Sequence, residues 1–529
     1  MKAIPRRVWL FAVLYLLVAS LPYMVGCLNA PPGGAFTGNA FEQTRVDYNS
    51  HLAKIQIGLR GEWGDQILFT PEPHPGVLTK TFYIALGHLA RLFALSPVLV
   101  YHLARIVSVL AMVIAIWLFV SHYLPDERGR WLALLLATVT GGLGWLLYLI
   151  APSRTAALAP IEFWLLDAYT FLAALTFPHF AAAIAVLLGF MLVLEHWLYA
   201  PTWKNALGLA ALSLLVGMLQ PFDLLLTALI VAIMVLWAWW RKRLHFVQGL
   251  MLLPAAFMHV LVVVYDYTAL NSHPVWRAFT AQNITLSPPP QYYLLGYFWL
   301  LIPAAVGVAV LWRRREARLL LPIVWVLLTA LLVYAPLQTQ RRFLMGVQVP
   351  LAVLAAVGLL AAWDWWLARG GAVSRWRIAL TTGLLFSTMT HILLLLSSIG
   401  SVNPAARPLL FLSRDKLAAL DWLREQPQET VIFSTFPAGG EAVAFTGRRA
   451  YIGHWIETMD FEARQAEVAA FFDAGMTDAE RLALLHDAGA DYVWMDDTAR
   501  ALGDWSPEGV DFLTPAFESD SVMVYEVMR

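Results

Sequence analysis

Residues 6–26, RRVWLFAVLYLLVASLPYMVG, place an uninterrupted apolar run directly behind two arginines. The apolar part, about residues 8–26, is long enough to cross a bilayer as a helix. With Lys2, Arg6 and Arg7 before it, the run is similar to the charged and apolar regions of a signal peptide. No convincing small-x-small cleavage site precedes the polar loop that follows. We therefore predict an uncleaved first transmembrane span.

Similar apolar runs recur through the first 400 residues. They cover residues 98–120, 131–150, 176–199, 205–219, 222–240, 247–266, 291–312, 319–336, 343–363 and 378–399. With the first run they predict about eleven spans. The composition agrees, because 60% of the 529 residues are hydrophobic, only 14% are charged, and 23 are Trp. A formal net charge of zero argues against a nucleic-acid partner. The single cysteine, Cys27, excludes an intramolecular disulfide and a cysteine-built metal cage.

The loop charges predict the orientation of these spans. With a cytoplasmic N-terminus, the inside segments hold Lys2, Arg6, Arg7, Arg128, Arg130, Lys204, Arg241, Lys242, Arg243, Arg313, Arg314, Arg315, Arg318, Arg369, Arg375 and Arg377. The short outside loops hold Arg154, Arg277, Arg341 and Arg342. Because cytoplasmic loops are enriched in Lys and Arg, this bias predicts the N-terminus inside and, with an odd number of spans, the C-terminus outside.

After about residue 400 the apolar runs stop and charged residues become frequent. Ser413 predicts the N-cap of a helix at about 414–425. The sequence then predicts a strand at 430–434, a turn at Gly439-Gly440, helices near 461–474 and 477–487, a strand at 492–495 and a last strand near 521–528. The predicted fold is thus an all-α polytopic membrane domain over residues 1–400, followed by a small extracytoplasmic α/β domain over residues 401–529.

The first long loop, about residues 27–97, holds an unusual number of ionisable groups. Asp47 and His51 are four residues apart in RVDYNSH (45–51), so they share one face if the segment is helical. A carboxylate held just above a membrane can act as a general base. The alternative is a first-turn acid that stabilises the start of a helix. Residues 78–94, interrupted by Lys80, predict a short interfacial helix.

A second candidate cluster in this loop is Glu72-Pro73-His74-Pro75. Two flanking prolines fix the path of the chain and predict a stiff turn that displays Glu72 and His74. The alternative is a loop that only needs a sharp entry into the next helix. Metal binding by some of Asp47, His51, Glu72 and His74 is chemically possible, but no two of them form a recognised metal motif. No metal or other cofactor is predicted.

Arginines near the outer surface are candidate ligands for an anionic substrate. Arg341 and Arg342 are adjacent at a predicted outer mouth, and guanidinium groups match phosphate oxygens bidentately. The alternative is snorkelling to lipid headgroups. Arg105 lies in the outer half of the second span, where an unpaired charge is costly, so we predict pairing with a loop carboxylate or a ligand phosphate. His179, at the outer start of the fourth span, is a weaker candidate.

These features together resemble the GT-C superfamily of polytopic glycosyltransferases. The resemblance lies in the long first outer loop with an early acid, the helix entered through His74-Pro75, the number of spans and the outer α/β domain. Within the superfamily the chain is most similar to the branch of dolichyl-phosphate-mannose and aminoarabinose transferases. The resemblance covers about residues 1–400, in architecture more than in sequence.

The resemblance implies a function and a set of roles. It implies inverting transfer of a sugar from a polyprenyl-phosphate donor to a hydroxyl of an extracytoplasmic glycan, lipid or protein, without nucleotide or metal. Asp47 maps onto the family's base; Tyr48 stands where many members have a second acid, and Glu42 and Asp65 are the alternatives. His51, Glu72 and His74 would orient the acceptor or the base. Substrate contacts would come from Arg341, Arg342, Arg105, Lys80 and His179. The competing hypothesis is a non-catalytic protein of the same architecture that binds or transports polyprenyl lipid.

Overall fold

A computed structural model describes residues 4–151 and 160–528. Lys2 and Arg154, which entered the predicted charge bias, lie outside the described residues. The chain divides into two compact units. Unit 1 comprises Met1–Ser20, Arg105–Tyr265 and Ile284–Ser397, and unit 2 comprises Leu21–Ala104, Asp266–Asn283 and Ser398–Arg529. One boundary between the units, at Ser397 and Ser398, lies near the predicted domain boundary at residue 400. The division into domains at residue 400 stays a prediction.

The long apolar helices confirm a multi-pass membrane protein. Among the described residues, seven helices are long and apolar enough to span: Arg6–Leu28, Pro97–Tyr123, Pro178–Tyr199, Asp223–Trp240, Phe246–Leu270, Gln348–Ala368 and Val373–Ser401. Two bent pairs raise the number to nine: Glu127–Val139 with Gly144–Ile150, and Pro290–Gly296 with Phe298–Arg314. Two shorter apolar helices are Trp203–Leu219 and Leu320–Leu332. Every predicted run is therefore helical, while the count of eleven spans and their orientation stay predictions.

Short helical pieces complete unit 1. They are the 3-10 helices Ile161–Phe163 and Gln340–Leu344 and the short α-helix Thr170–Leu175, with Phe246–Gly249 and Leu250–Leu252 leading into Leu253–Leu270. The 3-10 helix Ile161–Phe163 precedes Trp164 and Asp167, and the 3-10 helix Gln340–Leu344 contains the predicted substrate contacts Arg341 and Arg342.

The first loop folds into two packed helices of unit 2. We call Arg45–Arg60 the first loop helix and Thr81–Phe93 the second loop helix. Glycines set their close approach, because a Cβ on Gly58 would lie 2.0 Å from the Ile84 carbonyl oxygen and one on Gly87 would lie 2.2 Å from that of Ile55. The predicted helical pairing of Asp47 with His51 is confirmed, since both lie on the first loop helix.

Two further features connect the first loop to the C-terminal residues of unit 2. Strand β1 (Ala35–Phe36) pairs antiparallel with β2 (Phe411–Leu412). The first loop helix also shares a small apolar core with the C-terminal residues, formed by Ala53, Ile57, Leu68, Phe69, Val443 and Ala450. The helix Pro274–Gln282 belongs to the same unit.

The C-terminal residues form the predicted α/β domain. Its sheet has five strands: β3 (Val431–Phe433), β4 (Arg449–Ala450), β5 (Tyr492–Met495), β6 (Leu513–Glu518) and β7 (Met523–Val527), in the order β4-β3-β5-β7-β6. Strands β4, β3 and β5 are parallel, and β7 pairs antiparallel with β5 and β6. The helices are Arg414–Glu425, Phe436–Thr446, Phe461–Phe472, Asp478–Asp487 and the short Asp497–Arg500.

Most local predictions for this domain are confirmed, and one is wrong. Ser413 caps the helix Arg414–Glu425 by accepting from the Lys416 N–H. Gly439 and Gly440, however, lie inside the helix Phe436–Thr446 and do not form a turn. The reason is packing, because a Cβ on Gly439 would lie 1.9 Å from the Ile452 carbonyl oxygen. The absence of a side chain at Gly439 therefore allows this helix to pack closely against the segment around Ile452.

The predicted orientation is testable with two introduced cysteines. Cys27 is first replaced by Ser, and then Asp497→Cys and Arg128→Cys are made separately. The Asp497 side chain is 87% exposed and Arg128 is also exposed, so reagent access does not depend on unfolding. We expect an impermeant maleimide to label the Asp497→Cys variant in intact cells and the Arg128→Cys variant only after permeabilisation. The reverse pattern would contradict the inside-positive assignment.

Candidate functional site

Asp47 lies in the first turn of the first loop helix, where a carboxylate is stabilised by the helix N-terminus. Its side chain is 41% exposed, and its Oδ1 lies 3.6 Å from Nε2 of His454, whose side chain is 4% exposed. The two alternative bases are engaged elsewhere. Glu42 forms an ion pair with Arg407, and Asp65 is 2% exposed and paired with Lys54. Asp47 is therefore the most accessible of the three carboxylates.

His51 lies one turn further along the same helix and is buried. Its ring stacks on Tyr83 of the second loop helix, with 4.1 Å between ring centroids and 11° between planes. Tyr48, which follows Asp47, is also buried, and its hydroxyl donates to the Thr37 carbonyl oxygen at 3.0 Å. The position after Asp47 is thus part of the packed core.

A buried ion cluster lies on the first loop helix beside this site. The ammonium group of Lys54 lies 2.9 Å from Asp65 Oδ1 and 2.9 Å from Glu457 Oε2, and all three side chains are at most 2% exposed. Lys80 reaches the other oxygen of Glu457 at 3.2 Å. Burial raises the pKa of Glu457, but Lys54 and Lys80 outweigh it and hold that pKa well below its usual range. Glu457 is therefore ionised and keeps Lys54 charged.

Asp65 differs from Glu457, although both contact Lys54. Burial raises the pKa of Asp65, and the attraction of Lys54 does not fully offset that increase. Burial also lowers the pKa of Lys54, but its two carboxylate partners raise it further, so the net direction is upward. Glu457 is the stronger partner because a second cation and Ser50 also stabilise its charge.

Glu72 has contacts that fix the loop. It forms an ion pair with Arg464 and accepts from the Thr70 hydroxyl. Burial raises the pKa of Glu72, but the Thr70 hydrogen bond and the Arg464 guanidinium lower it to a net value below the usual range. Arg464 also donates to Thr70 Oγ1 at 3.0 Å and lies 4.7 Å above the Tyr451 ring. These contacts attach the 70–72 segment to the helix Phe461–Phe472.

Both ring nitrogens of His74 are bound to the backbone of its own loop. Nε2 accepts from the Ile67 N–H at 2.9 Å, and Nδ1 lies 2.8 Å from the Glu72 carbonyl oxygen, to which it donates. Burial, with smaller contributions from nearby cations, lowers the pKa of His74 to about 4. The imidazole is therefore neutral near pH 7 and closes the turn that the flanking prolines predict.

This histidine predicts a pH dependence of stability. Because the pKa of His74 is about 4 in the folded chain and the ordinary value for histidine is 6.5, the unfolded chain binds its proton first as pH falls. The stability contributed by neutral His74 is present above about pH 6.5 and is lost towards about pH 4. Glu72 and Glu457 act at lower pH, since their folded pKa values lie below 4.5. We expect the decrease in Tm between pH 7 and pH 5 to be smaller in His74→Gln than in the wild type, measured on the full chain in detergent. Equal decreases would exclude this role.

The two adjacent arginines belong to unit 1 and contact the segment after the 3-10 helix Ile161–Phe163. The Arg341 guanidinium lies 5.0 Å from the centroid of the Trp164 ring, and its backbone N–H donates to the Thr285 carbonyl oxygen. The Arg342 guanidinium lies 3.5 Å from the carboxylate of Asp167, which is 3% exposed. Arg342 is itself 27% exposed, so it keeps access to solvent while paired.

The other predicted substrate contacts have different surroundings. Arg105 is buried and donates to the Ala174 carbonyl oxygen at 3.1 Å and to the Ser20 hydroxyl at 2.8 Å, all within unit 1. The ring of His179 lies 4.2 Å from that of Phe180. Lys80 belongs to the Glu457 cluster, and its ammonium group also lies 5.8 Å from the Phe279 ring. A cavity of about 520 Å³ in unit 1 contains none of the predicted site residues and is lined by Pro5, Arg6, Arg7, Trp117, Glu127 and Arg130.

Within residues 4–151 and 160–528, no three His, Cys, Asp or Glu side chains are grouped to hold a metal ion. The structure does add two residues that the sequence did not indicate, His454 and Glu457. Both stand in GHWIET (453–458), about 400 residues after Asp47, and the sequence contains no motif or spacing that relates them to the first loop.

Comparisons with known proteins give matches among solved structures. No protein-family model and no curated protein matches the chain. The chain is similar to the oligosaccharyltransferase AglB of Archaeoglobus fulgidus in complex with an inhibitory peptide and a dolichol-phosphate, with 14% identity, a TM-score of 0.46, and 92% of this chain and 69% of that chain covered. The chain is also similar to ArnT from Cupriavidus metallidurans bound to undecaprenyl phosphate. The identity is 14%, the TM-score is 0.49, and the match covers 97% of this chain and 97% of that chain.

Proposed function

We propose that this protein is a membrane glycosyltransferase that transfers a sugar from a polyprenyl-phosphate donor to an extracytoplasmic hydroxyl. The observation that carries the proposal is the setting of Asp47, an accessible carboxylate beside the buried His454, at the place where the sequence resemblance expects a base. Glu42 and Asp65 are held in ion pairs with Arg407 and Lys54, which favours Asp47 among the early acids of the loop.

The proposed reaction is a single displacement. Asp47 accepts the proton of the acceptor hydroxyl while that oxygen forms a bond to the anomeric carbon. The bond from this carbon to the phosphate oxygen breaks, and polyprenyl phosphate leaves with the electron pair. Arg341 and Arg342 stabilise the charge that develops on the departing phosphate. Attack opposite to the leaving group inverts the anomeric configuration.

The remaining predicted residues have supporting roles in this proposal. His51, Glu72 and His74 act through the shape of the loop, since their observed contacts are with Tyr83, Arg464 and the backbone. Lys80, Arg105 and His179 stay further proposed substrate contacts; Lys80 is paired with Glu457, and Arg105 donates to the Ala174 carbonyl oxygen and the Ser20 hydroxyl. The sugar and the acceptor are left open, because specificity depends on a few hydrogen bonds that the sequence pattern does not identify.

The role of the two arginines is testable by lipid binding alone. We expect the double variant Arg341→Gln/Arg342→Gln to bind undecaprenyl phosphate at least about 10-fold more weakly, because charge-assisted contacts to phosphate are lost. Binding is measured by titration of the purified full chain in detergent. The matched control is Arg313→Gln/Arg314→Gln, which removes two adjacent arginines of unit 1 from the last turn of Phe298–Arg314. Equal affinity in both double variants would return Arg341 and Arg342 to a role in lipid-headgroup contact.

A non-catalytic lipid-binding protein is the second candidate. It is favoured by Tyr48, which packs in the core where many family members carry a second acid. Such a protein would bind undecaprenyl phosphate through the arginines and release no phosphate from a polyprenyl-phosphate sugar. Turnover therefore separates the two candidates, whereas binding alone does not.

A further inference from the structure

We infer that His454 is a positioning residue for Asp47, so that the C-terminal residues of unit 2 help to form the setting of the catalytic base. The inference rests on the proposed function for the role of Asp47. It concerns a contact between residues 407 positions apart, which joins the first loop helix to the turn that follows strand β4.

The hydrogen bonds of His454 determine which nitrogen carries its proton. Nδ1 accepts from the backbone N–H groups of Ile456 and Glu457, each at 3.1 Å. An acceptor nitrogen has no proton, so the neutral ring is protonated at Nε2. This N–H group is the one that faces Asp47 Oδ1 at 3.6 Å. Hydrogen bonds of catalytic groups are often long without substrate and shorten in the reactive complex.

The turn that carries His454 is firmly attached to the first loop. Thr458 Oγ1 accepts from the backbone N–H groups of Gly453 and His454, each at 3.3 Å, and donates to the Phe69 carbonyl oxygen at 3.0 Å. The Phe69 ring lies 5.5 Å from the imidazole. Glu457, three residues on, is fixed by Lys54 of the helix that carries Asp47. The imidazole therefore has little freedom to move away from the carboxylate.

A fixed N–H donor beside a half-exposed carboxylate has a definite consequence. An N–H group that faces Oδ1 at 3.6 Å orients the carboxylate, which in the proposed reaction accepts the proton of the acceptor hydroxyl. It also stabilises the ionised form, so the carboxylate is ready to act as a base.

Two substitutions separate positioning from simple packing. His454→Leu removes the donor, whereas His454→Gln places an amide N–H near the position of Nε2. The matched control is His88→Leu, because His88 is a half-buried histidine of unit 2 that contacts the Glu62 carbonyl oxygen at 3.1 Å and stacks on Trp63. Three quantities are measured: kcat and KM for the lipid-linked donor, the affinity for undecaprenyl phosphate, and the fraction of Asp47 that a water-soluble carbodiimide labels at pH 6.

We expect His454→Leu to lower kcat at least about 10-fold with unchanged undecaprenyl phosphate affinity, and His454→Gln to recover most of the loss. The labelled fraction of Asp47 should rise in His454→Leu, because a carboxylate without its donor is protonated more readily, and should return in His454→Gln. His88→Leu should change neither kcat nor the labelled fraction of Asp47. Identical labelling in all four proteins would overturn the inference. The labelling experiment needs no turnover, so its result stands even if the wild type transfers no sugar.

Discussion

Asp47→Asn is expected to lower sugar transfer at least about 100-fold while leaving undecaprenyl phosphate binding intact, because Asn keeps the shape of Asp but cannot accept the proton. Stability should change little, since Asn is nearly as good as Asp near a helix N-terminus and the side chain is 41% exposed. The rate is measured as release of undecaprenyl phosphate from the donor by the purified full chain. A base contributes in the transition state, so kcat should fall more than KM changes.

Glu42→Gln is the matched control for this substitution. Glu42 is an acid of the same loop that is 36% exposed and forms its ion pair with Arg407. We expect nearly wild-type turnover in this variant. A severe loss in Glu42→Gln together with an active Asp47→Asn would move the base to Glu42 and contradict the present assignment.

Lys54→Met is expected to cause a large loss of stability. It leaves the buried carboxylates of Asp65 and Glu457 without their shared cation. Removing one partner of a buried ion pair typically costs about 3–5 kcal/mol, because the remaining charge is uncompensated. The measurement is the Tm of the full chain in detergent at a fixed scan rate, since unfolding of such proteins is often irreversible.

Lys80→Met is the control for the buried cluster. Lys80 contacts the same glutamate, but its side chain is 31% exposed, and partly exposed pairs contribute only about 0–1 kcal/mol. We therefore expect a much smaller decrease in Tm. Equal decreases in Tm in the two variants would show that the buried ion pair of Lys54 contributes no more to stability than the partly exposed pair of Lys80.

Local patterns in the sequence were sufficient to predict much of the fold. Runs such as 98–120 are apolar enough to be read without tertiary information, and the structure places the helix Pro97–Tyr123 there. The Ser413 cap was likewise visible, because a side-chain oxygen that satisfies a free N–H is a local interaction. Gly439-Gly440 was misread as a turn, because the packing that requires small residues there comes from Ile452, which the local sequence does not indicate.

Of the candidate site, only the residues of the first loop were predictable from the sequence. Asp47 and His51 were found from helical spacing, which is a local property. His454 and Glu457 were missed because their roles depend on contacts with residues about 400 positions earlier. Glu72 and His74 were found as a conspicuous turn, and their contacts with Arg464 and with the Ile67 N–H became visible only in the folded chain.

The central claim is tested most directly by product analysis with the purified wild-type protein. The full chain in liposomes is incubated with a panel of undecaprenyl-phosphate hexoses and pentoses and with membrane lipid and glycan acceptors. We expect one donor to yield undecaprenyl phosphate and transferred sugar in equal amounts, with inverted anomeric configuration by NMR. Tight binding of undecaprenyl phosphate without release from any donor would contradict the transferase account and support the lipid-binding alternative.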